Sequence, residues 1–278
     1  LMAEAEAAEV DDATAMRIRM YSHVHDHMNA YLAMENAVVE GDYDAAARHG
    51  ETMLAIRAAA GQERPNWLPT TPDWAKTFRT TDEWHIDHYQ ALAARAGGDL
   101  GELVTLLPRE WRFKKDPEDK GVLYEWYAEP LDRTWEPIDS TIYWEAQGHE
   151  DEKGWGYWGK AWYRTAFDLP AAYADKPVWL TLGGVYNRGV WVWVNGRMLE
   201  FEMDRHWRLG HHDSRTPIHI DISGVARTGR NEIAVAVYME PPHRNPRGGL
   251  HRRAFVWSPR EGAVPVTPET LGVVVVPD

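Results

Sequence analysis

The residues best suited to recognition chemistry are aromatic and fall in stretches without periodicity. Trp155, Tyr157 and Trp158 lie in the glycine-rich run GHEDEKGWGYWGK from Gly148 to Lys160, and Trp207 stands among polar residues between His206 and Arg208. An indole can lay its apolar face on the C–H face of a pyranose and still offer an N–H, so aromatic loops of this kind suit sugars. Loops on a rigid scaffold carry function. Trp135, Trp144, Trp162, Trp179, Trp191 and Trp193, by contrast, fall on strand-like runs and read as packing. Fifteen tryptophans in 278 residues is well above ordinary usage and leaves room for both roles.

Polar groups flank these aromatics. Asn187 and Arg188 follow Gly183-Gly184 at a strand connection, and His206, Arg208, His211, His212 and Asp213 fill a later excursion. A basic group, Arg244, Asn245, Arg247, His251, Arg252 and Arg253, precedes the last strand-like run. An Arg fork grips a carboxylate bidentately, which suits a uronic-acid or sulfated glycan, although salt bridges to the acidic excess would use the same residues. The candidate ligand-binding set is therefore Trp155, Tyr157, Trp158, Asn187, Arg188, His206, Trp207 and Arg252. Glycosidic cleavage needs two carboxyl groups roughly 5 to 10 Å apart. Glu145, Glu202, Asp204 and Asp213 are available, but none sits in a distinguishing motif, so no catalytic residue is assigned.

Other chemistries lack a signature. There is no G-x-S-x-G, Walker loop or Rossmann fingerprint. His23 and His27 are one helical turn apart and His85 and His88 are three residues apart, but neither pair has an HExxH-type glutamate or a third ligand, so no metal site is assigned. No cofactor is implied. A structural Ca2+ stays open, without an EF-hand-like trace. The net charge of −13 argues against nucleic acid or an anionic membrane as partner, since both require a basic face. No apolar run approaches the roughly 20 residues that span a bilayer. The absence of cysteine removes disulfides and thiolate sites without fixing the compartment, and a secreted or periplasmic bacterial setting is preferred to the cytoplasm. The opening LMAEAEAAEVDD has neither a basic n-region nor an apolar h-region and reads as the start of a fragment cut from a longer protein.

Two kinds of element must position these groups. Residues 1–107 read as a helical hairpin or bundle. Met16, Met20, Val24, Met28, Tyr31 and Leu32 recur at spacings of three and four and predict the buried face of a first helix ending at Gly41. Asp42 caps a second helix that stops at Gly61, and Thr81 or Asp82 caps a third, carrying Trp84, His88 and Leu92. A short apolar turn from Leu100 to Leu107 leads out. Residues 108–278 read as an antiparallel β-sandwich. Its centre is VWLTLGGVYNRGVWVWVNG, Val178 to Gly196: Val178, Leu180 and Leu182 share one face, Val190, Val192 and Val194 another, and Asn195-Gly196 sets a type I′ turn. Trp111 and Phe113 alternate in a first strand. Ile142, Tyr143 and Trp144 are expected to begin the sandwich, Ile218 to Ile222 and Ile233 to Val237 to continue it around a turn at Thr228 to Asn231, and Leu271 to Val276 to add a last strand.

Taken in order, Trp135, GKAWYRTAFDLP, VWLTLGGVYNRGVWVWVNG, PIHIDISGVARTGRNEIAVAVYM and GGLHRRAFVWSP resemble the sugar-binding, jelly-roll domain of glycoside hydrolase family two and its galactose-binding-like relatives. The resemblance covers about half the chain, from Trp135 to Pro259. It implies an α+β multidomain chain whose second part is a galactose-binding-like jelly roll. It also implies an accessory role, because in that family the catalytic acid and nucleophile lie on a separate barrel. The resulting expectation is a non-catalytic carbohydrate-binding region of a glycan-degrading enzyme, with oligo- or polysaccharide and an upstream catalytic domain as partners. Two alternatives stand beside it. One is a glycoside hydrolase or polysaccharide lyase with a cleft between its two domains. The other is a structural interdomain module.

Overall fold

The computed structural model describes residues 4–5, 7–63, 72–150, 154, 156–186, 189–199, 217–239 and 247–263. The chain divides into two compact units, 1–93 and 94–278.

The first unit contains α1 (Asp12–Glu40), α2 (Tyr43–Glu63) and most of α3 (Pro72–Arg95). Asp11 caps α1 by accepting from the Ala13 and Thr14 amides, Gly41 closes it in the left-handed conformation, and Asp42 caps α2 through Ala45 N–H. Both α2 and α3 differ from expectation at one end. α2 continues past Gly61 to Glu63, and α3 starts at Pro72, an N1-type position where the missing N–H is not needed. The predicted inner face of α1 requires correction. Met20 is buried, but Val24, Met28, Tyr31 and Leu32 are exposed, and Ala30, Met34, Ala37 and Val38 are the residues covered. The covered stripe thus mixes small and large apolar side chains, and the exposed stripe holds the bulkier run read from the sequence. His23 lies 3.3 Å from Glu63, and Arg57 donates to His27 at 3.0 Å. His88 meets the Tyr89 ring edge-on. Among the described residues no group of three or more metal-ligating side chains assembles, and no helix is long and apolar enough to cross a membrane.

The second unit is a sandwich of two antiparallel sheets. One sheet orders β1 (Gly101–Leu106), β12 (Phe255–Pro259), β5 (Trp179–Leu182) and β9 (Ile218–Asp221). The other orders β3 (Glu136–Asp139), β2 (Glu110–Asp116), β4 (Gly159–Leu169), β10 (Gly229–Met239), β7 (Gly189–Val194) and β8 (Arg197–Leu199). A short ribbon pairs β6 (Val185–Tyr186) with β11 (Gly249–Leu250). The alternation read from the sequence sets the core: Leu180 and Leu182 from one sheet meet Val190, Val192, Val194, Ile233, Val235, Val237 and Tyr163 from the other. The stretch around Gly183-Gly184 therefore crosses between sheets, β5 lying in the first and β7 in the second.

Three local expectations change. Residues 101–106, expected as a turn closing the helical part, form β1 and pair with β12, so the second unit begins before residue 107. Ile142 to Trp144 do not form a strand. Pairing with β2 falls to Glu136–Asp139, and Trp144 opens a 3-10 turn, fully buried. β10 starts at Gly229, inside the predicted turn. The Asn195-Gly196 turn is as predicted, with both φ values positive. Its half-buried Asn195 pairs with the buried Asn231. Asn231 accepts from Arg227 N and Asn195 Nδ2 and donates to the carbonyls of Arg227 and Gly229, while Asn195 accepts from Glu232 N. That exchange gives the V-N-G and G-x-N motifs a common physical purpose. Leu271 to Val276 lie outside the described residues.

Candidate functional site

The β6–β11 ribbon brings together segments that are distant in sequence. Pairing of Gly249 with Tyr186 and of Leu250 with Val185 sets the 247–252 segment beside β6. His251 N–H donates to Gly184 O at 3.0 Å and Arg252 N–H to Thr141 O at 3.1 Å. Trp144 N–H donates to Gly248 O, and Gly248 N–H returns a bond to Glu145 Oε2 at 2.9 Å. Glycine is required at this junction. A Cβ on Gly248 would lie 2.2 Å from the Trp144 ring, and one on Gly249, where φ is +91°, would lie 2.1 Å from Tyr163 Oη. The G-G-L motif thus lets the backbone press onto a base of buried rings, Trp144, Tyr163, Phe113 and Tyr157.

Polar groups collect above this base. Burial pushes the Glu145 carboxyl up to about 7, against the opposing bond from Gly248 N–H and the nearby Arg247. Arg247 lies 5.6 Å over the Tyr143 ring, which in turn packs 4.6 Å from His251. Arg252 takes a left-handed backbone with φ of 69°, a strained conformation for a residue with a side chain. Arg253 is turned aside, its Nε donating to Leu107 O. The result is one carboxyl that changes charge near neutrality with Arg247 beside it, Arg247 lying over Tyr143, and the Arg252 backbone tied to Thr141, close by in sequence. Such a set can hold sugar hydroxyls or a sugar carboxylate.

The candidate residues named from sequence divide three ways. The backbone of Arg252 is fixed beside this cluster by its bond to Thr141 O. Tyr157 is not a free loop residue: it is 7% exposed, packs edge-on against Trp144 and donates its hydroxyl to Lys160 O. Trp158 is half-buried against the same core. Trp155, Asn187, Arg188, His206 and Trp207 lie outside the described residues, as do Glu202, Asp204 and Asp213. Sequence reading singled out neither Tyr143 nor the coupling of Glu145 to Gly248. The signal present was the double glycine, which marks a close backbone approach.

The comparisons agree with the motifs. Residues 132–240 match the family model of the β-galactosidase second all-β domain, and the likeness to glycoside hydrolase family two holds over this segment. A β-glucuronidase from Paenibacillus borealis is 28% identical over 128 residues, 46% of this chain and 20% of that protein. The crystal structure of Ruminococcus gnavus β-glucuronidase is 23% identical, with a TM-score of 0.48, over 59% of this chain and 30% of that one. The same enzyme in complex with C6-substituted uronic isofagomine gives 24% identity, a TM-score of 0.48 and the same coverage. The chain thus spans about a fifth of the curated relative's length and under a third of the solved chains.

Proposed function

We propose that the chain is a non-catalytic, carbohydrate-binding accessory region of a glycan-degrading enzyme. In this reading the second unit is a galactose-binding-like jelly roll that uses its β6–β11 end as the ligand face. One observation carries the reading: the ribbon sets Glu145, Arg247 and Tyr143 together at a buried aromatic base, with the Arg252 backbone fixed to Thr141 alongside, in and beside the segment that matches a β-galactosidase domain. The two arginines favour an acidic sugar, since a carboxylate takes a guanidinium fork bidentately. The name of the curated relative, β-glucuronidase, is consistent with that class. Trp155, Asn187, Arg188, His206 and Trp207, outside the described residues, and Trp158, half-buried against the core, are proposed as further ligand-binding residues. An upstream catalytic domain is the proposed protein partner, and a secreted or periplasmic setting follows from a polysaccharide ligand.

A glycan array with neutral, aminated and uronate-bearing oligosaccharides tests this. Binding confined to uronate-bearing members, without product release, is the expected result. Failure to bind any member with the fold intact favours a structural interdomain module. Product release abolished by one acidic substitution makes the chain a hydrolase or lyase.

A further inference from the structure

The outer face of the six-stranded sheet carries an aromatic cluster of its own. Trp162 and Trp193 leave this face with Ala234 and Ala236 between them, forming a cluster separate from the sandwich core. The connection between β2 and β3 covers it. Asp116 fastens the start of that connection by accepting from Lys120 N, Gly121 N and Trp162 Nε1. Tyr127 stacks on Trp193 with ring centres 5.3 Å apart. Arg164 donates to Glu129 O and to Glu232, and lies 5.7 Å over Trp135. The cover is therefore held at both ends and in the middle.

The cover does not fill the face. It leaves a groove of about 490 Å3 whose walls include Lys114, Tyr124, Trp126, Glu129, Asp132 and Trp135, a volume in the range of small-ligand sites. Lys114 Nζ lies 3.9 Å from the Trp126 ring centre and 5.7 Å from that of Trp135. Ring faces hold the charge without consuming an N–H bond as a lone pair would, so the ammonium keeps donors for a ligand. Tyr124 is 54% exposed and Leu123 is 75% exposed on the same wall. Both offer apolar surface to water beside fixed polar groups.

We propose that this groove binds an uncharged pyranose unit, with the Lys114 ammonium donating to ring hydroxyls, Glu129 and Asp132 accepting from them, and Tyr124 covering an apolar sugar face. Hydroxyls are both donors and acceptors, which matches one ammonium set among carboxylates. Glu125, Glu129 and Asp132 outnumber Lys114 on the walls and exclude a uronate. The groove therefore differs in ligand class from the β6–β11 end. The inference rests on the carbohydrate-binding reading for its ligand and on its own geometry for its place.

Cellobiose, glucosamine and glucuronic acid are titrated into the full chain while the indole N–H resonances are followed by NMR. Lys114→Met keeps the aliphatic stem over Trp126, and Tyr124→Ala removes an exposed ring, so neither change disturbs the packed cluster. Cellobiose is expected to shift the Trp126 and Trp135 indole signals, and each variant to weaken its binding about tenfold or more. An Arg247→Gln/Arg252→Gln variant is expected to leave cellobiose binding intact. Cellobiose binding that survives both groove variants but fails in the arginine variant overturns the groove and spares the loop end. Glucuronic acid binding that depends on Lys114 overturns the neutral ligand class. Silence of the indole signals toward all three sugars overturns the groove whatever the arginine variant does.

Discussion

Replacing Glu145 with glutamine isolates the one carboxyl whose ionisation the fold opposes. Burial raises its pKa from an ordinary 4.5 to about 7, so between these values the folded state holds a proton that the unfolded state has lost. Stability attributable to this group is fully present below about pH 4.5 and is lost as pH rises through about 7. At 1.36 kcal/mol per pH unit the whole interval amounts to roughly 3 kcal/mol. Glu145 remains partly open to water, and screening reduces this to about 1–1.5 kcal/mol. Glu145→Gln keeps an oxygen for Gly248 N–H while removing the charge. The variant should equal wild type in stability near pH 4.5 and exceed it by that amount at pH 8, a gain of about 0.5 M in urea midpoint. Paired urea titrations followed by tryptophan fluorescence between pH 4.5 and 8 measure the difference. Other groups, including the buried His219, cancel between the two proteins. A difference that does not change with pH, or that changes in the opposite direction, refutes the reasoning.

Further predictions concern both packing and binding. Asn231→Ala removes a fully buried amide that serves four partners and should cost about 2–4 kcal/mol in chemical denaturation. Thr181→Val leaves the buried Trp257 indole and the His219 ring without their shared hydroxyl, costing about 1–3 kcal/mol by the same measurement. Gly249→Ala drives a Cβ against Tyr163 at a positive φ and should destabilise by about 2 kcal/mol or more, seen as a lower melting temperature. Affinity for a uronate ligand should weaken as pH rises through about 7, where Glu145 becomes an anion, and Glu145→Gln should flatten that profile in calorimetric titration.

Alternation carried most of the sandwich. Val190, Val192 and Val194 announce one buried face, as do Val178, Leu180 and Leu182, because a half-buried strand repeats every two residues. Trp162 and Trp193 read as packing residues on strand-like runs, but the sequence does not say what covers them. That cover, Pro117 to Trp135, is mostly turns and has no period to read. α1 misled for the opposite reason: its bulky stripe is periodic, yet Ala30, Met34, Ala37 and Val38 are the residues buried. β1 escaped notice because a short edge strand is defined by its partner, β12, rather than by its own residues. At the candidate site, Arg252 was visible as one member of a basic group near a late strand. The neighbouring Glu145 was not distinguishable from other acids, since burial is a property of the folded chain.

The central claim is that this chain holds a saccharide without cleaving it. Calorimetric titration of the full chain at pH 6 with a glucuronate-terminated disaccharide, with product analysis of the same sample, tests it most directly. The account predicts saturable binding that is lost in the Arg247→Gln/Arg252→Gln variant, with the disaccharide recovered intact. Absence of binding by a folded chain, or release of monosaccharide, contradicts it.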